Sequence, residues 1–437
     1  MNKLFKSIVL TLAFVFMAGL VGAASIADHV KVAPGNKGDV LIFPFYAAID
    51  GGWETKVTVV NTSKTDSTVA KVIVRSPVFS EEILDFFIYL SPTDVWTGTL
   101  KYDPQVGTVL ESDDDSIVAR LGAQNRPVFG DEEIARRALV AATGPGDFNE
   151  MGYLYVINIA SFTGIIDGTN FGNPPVDKVE IYNLYRSLTP GGTVPEEYLP
   201  KNILAGWMDF QVAGFGLTSS LNAVTLSDYQ NDYVADIQLE YQLGDANANN
   251  TLFEIEAALS KNNIAMPYLN NEDLSMHFLT FPTKYTDFDN TGAISVRSGY
   301  LGFDSARNFC VRYTLNLFDT TEDSLTPEDP IWSPTPPAEF NDLCNELNWV
   351  VSTDSPFAEG WINYNFNFPT APTPGQSLDG NFMTYTGAPV IPVTLNLGAS
   401  GMSLKYGAWT DGTVTLTFDE GFYEVPYYQY SDLGWLD

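Results

Sequence analysis

The sequence predicts an all-β protein with a minor helical part, built from two or three antiparallel β-sandwich domains of the Ig-like type. Apolar residues, many of them β-branched or aromatic, alternate with polar residues along most of the chain, which is typical of strands with one buried face. The alternating runs are short, and clusters of glycine, proline, asparagine and aspartate separate them. No internal repeat of fixed length occurs, so the sequence disfavours a solenoid or a propeller.

Strands are predicted close together near the start of the fold, at Val40–Phe43, Lys56–Val60, Val69–Val74 and Leu84–Leu90. Short strands joined by turns favour antiparallel pairing over parallel βαβ units. Pro44, directly after the first of these runs, indicates a sheet edge or a bulge, since proline cannot donate to the ladder. Helices are predicted over Asp131–Leu139 and Leu252–Ser260.

The chain of 437 residues is too long for a single core. We therefore expect a signal peptide over residues 1–24, an N-terminal β-sandwich over 25–122, a middle β-rich domain with short helices over 123–305, and a C-terminal β domain over 306–437. The last domain includes a proline-rich excursion over residues 324–338.

The first residues have the pattern of a cleaved signal peptide for the Sec pathway. Lys3 and Lys6 precede an apolar run over Ile8–Val21, and small residues follow at Gly22–Ala24. An uncleaved N-terminal anchor is the alternative. We expect an extracellular or cell-surface protein, with the periplasm as the alternative location, and no integral membrane span once the segment is removed.

The net charge of -32 limits the classes of partner. Such an acidic chain repels phosphate backbones and anionic lipids, so a nucleic-acid partner is not expected. The same charge favours solubility and attracts cations, including calcium.

The chain contains two cysteines, Cys310 and Cys344. Export places them in an oxidising compartment, so we expect one structural disulfide, with two separate free thiols as the alternative. Their spacing differs from the Cys-x-x-Cys pattern of redox sites.

Calcium is the one cofactor for which the sequence contains a candidate binding loop. The segment from residue 245 places oxygen-bearing side chains at loop positions 1, 3 and 5 and a glutamate at position 12, as in a calcium-binding loop. The predicted ligands are Asp245, Asn247, Asn249, Thr251 and Glu256. Asn250 stands where such a loop prefers glycine, so ordinary polar turns that cap a helix remain the favoured interpretation.

Catalytic motifs are not recognisable. The only histidines are His29 and His277, and no Ser-His-Asp set, metalloprotease motif or phosphate-binding loop can be assembled. Adjacent carboxylates such as Glu81 and Glu82 point to opposite faces of a strand, which makes them poor acid and base partners. We therefore expect a protein that is not an enzyme, with no catalytic residues.

Tryptophan rings can stack on the apolar faces of sugars. Trp53 and Trp409 lie beside predicted turns and are the candidate sugar-stacking residues, whereas Trp96 and Trp361 lie within strand patterns and are expected in the core.

Several segments together resemble a group of uncharacterised exported cell-surface proteins of Gram-negative proteobacteria. The matching segments are Leu41–Tyr46, Val59–Thr62, Ile83–Gly98, Leu279–Lys284 and Thr386–Ile391. The resemblance implies export and surface location. It identifies no catalytic residues, because the group has no assigned activity.

These observations favour a non-catalytic exported cell-surface protein, structural or adhesive, that assembles with copies of itself into a surface layer or filament. The alternative is an extracellular carbohydrate-binding protein with a surface polysaccharide as its partner. An outer-membrane β-barrel is the third possibility, and it is disfavoured by the short strands.

Overall fold

Strands make up 63% of the computed structural model, which confirms the all-β prediction. The structure describes residues 30–77, 82–105, 107–121, 127–129, 136–138, 150–163, 165–166, 170–171, 177–229, 234, 250–269, 274–284, 311–321, 324–325, 332–333, 342–343, 345–352, 357, 359–366, 373–376, 382–385, 387–398, 401–411, 414–418 and 421–424. The predicted signal peptide lies outside these ranges.

The strands of the first half are β1 (Lys31–Val32), β2 (Val40–Ala47), β3 (Trp53–Asn61), β4 (Asp66–Arg75), β5 (Glu82–Leu90), β6 (Val95–Asp103), β7 (Gly107–Glu111), β8 (Val118–Leu121), β9 (Pro127–Phe129), β10 (Arg136–Ala138), β11 (Met151–Thr163), β12 (Ile165–Ile166), β13 (Asn170–Phe171), β14 (Leu204–Val212), β15 (Leu217–Asn222) and β16 (Val224–Ser227). The strands predicted between residues 40 and 90 are confirmed.

The strands of the second half are β17 (Ser260–Leu269), β18 (Leu274–Thr280), β19 (Val311–Arg312), β20 (Thr314–Asp319), β21 (Ser324–Leu325), β22 (Trp332–Ser333), β23 (Asp342–Leu343), β24 (Leu347–Ser352), β25 (Glu359–Asn365), β26 (Thr373–Gln376), β27 (Phe382–Tyr385), β28 (Ala388–Pro389), β29 (Ile391–Gly398), β30 (Gly401–Tyr406), β31 (Ala408–Asp411), β32 (Val414–Phe418) and β33 (Gly421–Glu424).

Two α-helices occur in the described residues, Lys178–Arg186 and Asn250–Leu259. Asp177 caps the first helix by accepting a hydrogen bond from the backbone N–H of Val179. The second helix confirms the helix predicted over Leu252–Ser260. The helix predicted over Asp131–Leu139 is wrong, because strand β10 occupies part of that segment.

Four large antiparallel sheets form the body of the protein. Sheet 1 has the order β1-β16-β2-β11-β4-β5, and sheet 2 has the order β10-β7-β6-β3-β14-β15. Sheet 3 has the order β22-β24-β18-β29-β30, and sheet 4 has the order β21-β20-β25-β17-β28, with β31 also paired to β17. A smaller sheet joins β26, β27, β32 and β33.

The apolar faces of these sheets pack on one another. Phe43 of sheet 1, Met208 of sheet 2 and Phe278 of sheet 3 belong to one continuous core. The opposite face of sheet 3 packs against sheet 4, for example through Leu279 and Met266. The four sheets are therefore arranged more like the blades of a propeller than like separate Ig-like sandwiches, and the Ig-like part of the prediction is not clearly reproduced.

Strand pairing also crosses the predicted domain boundaries at 122/123 and 305/306. Strand β11 pairs with β2 and β4, and strand β14 pairs with β3, so both belong with the first hundred residues. Strand β17 pairs with β25, which lies beyond residue 305. Turn patterns locate strands along the chain but do not determine which distant strands pair, and this explains the difference.

Burial explains two kinds of strand pattern. Strand β2 is buried along its whole length because sheet 1 is covered on both faces, by the core just described and by a second core that includes Ile181 and Ile255 of the two helices. Strand β14 alternates between buried and partly exposed residues because sheet 2 is covered on one face.

Candidate functional site

The uncovered face of sheet 2 is the candidate functional site, and we call it the outer face. Along β14, Met208 and Phe210 point into the core, whereas Trp207, Asp209 and Gln211 are partly exposed. Since successive side chains of a strand point to opposite faces, the last three residues share the outer face. A partly exposed tryptophan in the middle of a strand is unusual, because large apolar side chains are normally used for the core.

Trp207 lies in a row of polar residues that crosses the sheet. It is paired with Thr58 of β3 on one side and with Asn222 of β15 on the other, and Thr97 of β6 follows beyond Thr58. Asn222 is exposed and Thr97 is partly exposed, so both offer polar groups to a ligand.

The burial of Thr58 indicates how the Trp207 indole lies. Thr58 is on the outer face, yet only 3% of its surface is exposed. Trp207 is its direct partner on β14 and the largest side chain next to it, so we infer that the indole lies across Thr58 and turns its other side to solvent. Trp207 belongs to none of the apolar clusters found among the described residues.

The next rows of the outer face are held by hydrogen bonds between strands. The hydroxyl of Ser220 donates to the Asp209 carboxylate, and Gln211 Nε2 donates to a Glu54 oxygen at 2.5 Å. Around Trp207, on strands β3, β14 and β15, the charged outward residues are Glu54, Asp209 and Lys56. Two carboxylates and one ammonium leave a net charge of -1 on this part of the face.

His277 does not face solvent and connects two sheets. It lies on β18 of sheet 3, fully buried, with Nδ1 at 2.9 Å from the Tyr364 hydroxyl and Nε2 at 2.9 Å from the Pro267 carbonyl, both on sheet 4. Because a carbonyl only accepts, Nε2 carries the proton and Nδ1 accepts from Tyr364. Burial lowers the pKa of His277 to about 4, so the ring is neutral at pH 7.

Two basic residues are completely buried on β4. Lys71 Nζ lies 2.6 Å from Asp85 of β5, and the Arg75 guanidinium donates to the Tyr155 hydroxyl from Nη2 at 2.7 Å. Arg75 also lies 3.5 Å from a Glu82 oxygen. These pairs connect β4 with its two neighbours, β5 and β11, and so they act within sheet 1.

At one end of sheet 1, the Asp66 carboxylate accepts hydrogen bonds from several side chains. Lys201 Nζ lies 2.5 Å from its Oδ1, and the hydroxyls of Ser63, Thr65 and Thr163 also donate to the carboxylate. Burial alone would raise the pKa of Asp66, but these hydrogen bonds outweigh it and hold the pKa at about 2. Lys178 pairs in the same way with Asp94, whose pKa is lowered although burial opposes this.

The predicted sugar-stacking residues are placed apart from each other and partly packed. Trp53 packs edge-on against Phe210, with ring centroids 5.4 Å apart, and lies against the core between sheets 1 and 2. Trp409 lies against the core between sheets 3 and 4, and the Lys261 ammonium sits 5.2 Å from its ring centroid. Their role in sugar binding remains a prediction.

The other tryptophans differ from one another. Trp96 is buried in the core, as expected. Trp361 is only partly buried and stacks on Phe318 of the neighbouring strand at 5.2 Å, so its predicted place in the core is wrong. Trp207 was not predicted as a sugar-binding residue, although the alternation along β14 marks it as outward-facing.

Of the predicted calcium ligands, Asp245, Asn247 and Asn249 lie outside the described residues, as does the side chain of Thr251. Glu256 is buried on the helix Asn250–Leu259. Within the described ranges, no group of three or more acidic, histidine or cysteine side chains is placed to hold a metal ion.

Cys310 and Cys344 also lie outside the described residues. Their neighbours in sequence, Val311 and Leu343, are paired with each other across β19 and β23. The disulfide therefore remains a prediction.

No helix in the described part of the chain has the length and apolar character needed to cross a membrane. No protein-family model matches the chain, and comparison with curated proteins and with solved structures likewise gives no match.

Proposed function

We propose that this chain is an exported, non-catalytic cell-surface protein with a structural or adhesive role. The observation that carries the proposal is the pairing of four basic side chains, two of which, Lys71 and Arg75, are completely buried. Lys71, Arg75, Lys178 and Lys201 each pair with an acidic or phenolic group of a neighbouring segment, so the charges hold strands and loops together. Ion pairs of this kind are suited to a framework that keeps one shape.

Composition and sequence support the location. The N-terminal segment has the pattern of an export signal, and the net charge of -32 favours solubility outside the cell and repels nucleic acids. The resemblance to exported surface proteins favours the same location.

Assembly into a layer or filament is part of the proposal. Among the described residues, the outermost strand of each large sheet has one ladder neighbour, and such strands offer backbone groups to a second copy of the chain. Calcium would favour such contacts by bridging acidic surfaces.

The proposal is tested by shearing intact cells and measuring the abundance of the chain in the released fraction by mass spectrometry. We expect strong enrichment relative to a soluble periplasmic marker. A scarce protein that follows the periplasmic marker would contradict the surface role.

Extracellular carbohydrate binding is the second candidate function. It is favoured by the outer face of sheet 2, where Trp207 is partly exposed among polar side chains. The test is whether the purified chain is retained on columns of immobilised polysaccharide. A chain that is retained on none of these columns would exclude this function.

A further inference from the structure

We propose that the outer face of sheet 2 is a binding site for a neutral glycan, with Trp207 as its stacking platform. The inference rests on the second candidate function and names the site and the class of ligand.

The position of Trp207 carries the first step. Met208 and Phe210 on β14 are buried, whereas Trp207 is partly exposed and its direct partner Thr58 is buried. An indole lying along a sheet offers a broad apolar surface to a ligand. A pyranose with mostly equatorial hydroxyls has a similarly flat patch of C–H groups, and the aromatic face binds it through dispersion and its negative quadrupole.

The polar residues around Trp207 carry the second step. Asn222 and Thr97 share its row, Ser220 lies in the next row, and Gln211 lies in the row after that. Neighbouring strands are about 4.8 Å apart and successive outward residues of one strand about 6.7 Å apart, so Asn222 and Ser220 lie within reach of a sugar ring stacked on Trp207, whereas Thr97 and Gln211 lie further out on the face. Amide and hydroxyl groups both donate and accept, which matches sugar hydroxyls.

The charge of the outer face selects the class of glycan. Glu54, Asp209 and Lys56 leave a net charge of -1 on the outer face of β3, β14 and β15, and a single lysine is no cluster of cations for sulfate or uronate groups. The acidic chain as a whole repels anionic polymers. A neutral glycan fits both observations.

A protein partner or a second copy of the chain fits this face less well. Protein interfaces rely on a desolvated apolar centre built from several large side chains. On strands β3, β14 and β15, Trp207 is the one aromatic residue of the outer face, and the apolar residues beside it are the small Ala205 and Val60.

The experiment measures binding of the mature chain to neutral polysaccharides (β-glucan, xylan and galactomannan) and to anionic polygalacturonate, by affinity electrophoresis and tryptophan fluorescence. We expect binding to at least one neutral polymer and none to polygalacturonate. Trp207→Ala is expected to weaken binding by at least about tenfold, and Asn222→Ala by about three- to tenfold, the loss expected for one hydrogen bond.

Trp207→Phe keeps a smaller ring and is expected to retain part of the affinity, which separates the platform role from a folding defect. Trp361→Ala is the matched control, because it removes a partly exposed tryptophan from a different sheet. Its binding should equal that of the unmodified chain, and the thermal unfolding of every variant is measured alongside.

The possible failures are distinguishable. If the chain binds neutral glycans and Trp207→Ala binds equally well, the assignment of this face is wrong while the second candidate function stands. If no neutral polymer binds, both are wrong, and the structural or adhesive proposal is judged by surface fractionation. Preference for polygalacturonate, or a change of oligomeric state on Trp207→Ala without glycan binding, would also overturn the inference.

Discussion

Mild acid should weaken the contact between sheets 3 and 4 through a single residue, His277. The ring is fully buried, and its pKa is lowered from 6.5 to about 4 because burial penalises the charged form. The unfolded chain therefore binds a proton at His277 at a higher pH than the folded chain does. The contribution of the neutral ring to stability is complete above pH 6.5 and is lost as the pH falls towards 4.

The size of the effect follows from the two pKa values. Each unit of difference is worth about 1.4 kcal/mol, so the full contribution is about 3 kcal/mol. Between pH 7 and pH 5, His277 of the unfolded chain takes up most of its proton whereas His277 of the folded chain stays mostly neutral. The resulting loss of stability is about 1.8 kcal/mol. This is large compared with the typical effect of a surface substitution.

Urea unfolding at pH 7 and pH 5 measures this loss in the unmodified chain and in two variants. His277→Gln removes the titrating group. The stability lost by this variant between pH 7 and pH 5 should therefore be about 1.8 kcal/mol smaller than the stability lost by the unmodified chain. Tyr364→Phe is the matched control: it removes the hydroxyl that donates to Nδ1, costs about 1 kcal/mol at both pH values, and keeps the pH dependence. Equal pH dependence in the unmodified chain and His277→Gln would refute the reasoning.

Further substitutions and treatments test other parts of the structure. Gly206→Ala places a Cβ 2.8 Å from the Thr58 carbonyl and 2.9 Å from Phe43, so we expect a loss of about 1–3 kcal/mol in urea unfolding, and an unchanged midpoint would contradict this packing. Reduction of the purified chain should lower its stability by about 4 kcal/mol if Cys310 and Cys344 form the disulfide, and mass spectrometry under non-reducing conditions should find them joined. Asp66→Asn should make unfolding less dependent on pH between 4 and 2, because the folded carboxylate, with its pKa of about 2, loses its contribution only as the pH falls through that range. Circular dichroism during acid titration measures this, and an unchanged acid profile would contradict it.

The local pattern of the sequence predicts much of the secondary structure. Alternation predicts β3, where most buried residues recur at every second position, and a run of β-branched residues predicts β4, which is buried along its whole length. The interpretation of Pro44 is also confirmed, since the register between β2 and β11 shifts beside it. Both features depend on neighbours in sequence, and this is why they can be read from the sequence.

Features that depend on distant partners could not be predicted in this way. Nothing local to β14 indicates that it pairs with β3, so this pairing across the predicted boundary at 122/123 could not be read from the sequence. Lys71 and Arg75 interrupt an apolar strand in the manner of outward-facing residues, but the second core of sheet 1 buries them beside Asp85 and Tyr155. A buried charge is recognised only when its partner is known.

In the candidate site, too, local features could be predicted from the sequence and features that depend on distant strands could not. The outward position of Trp207 follows from the alternation with Met208 and Phe210, and this signal was available in the sequence. The polar row that contains Trp207 could not be predicted, because Thr58, Thr97 and Asn222 come from three other strands. Turn position, which selected Trp53 and Trp409, is a weaker guide than the face of the strand, since Trp53 lies against the core.

Surface display is the central claim, and labelling of intact cells with a membrane-impermeant amine reagent tests it most directly. We predict that the chain is labelled without lysis and that its mature N-terminus, determined by mass spectrometry, follows the small residues at Gly22–Ala24. A chain that keeps its first residues and is labelled only after lysis would contradict the account.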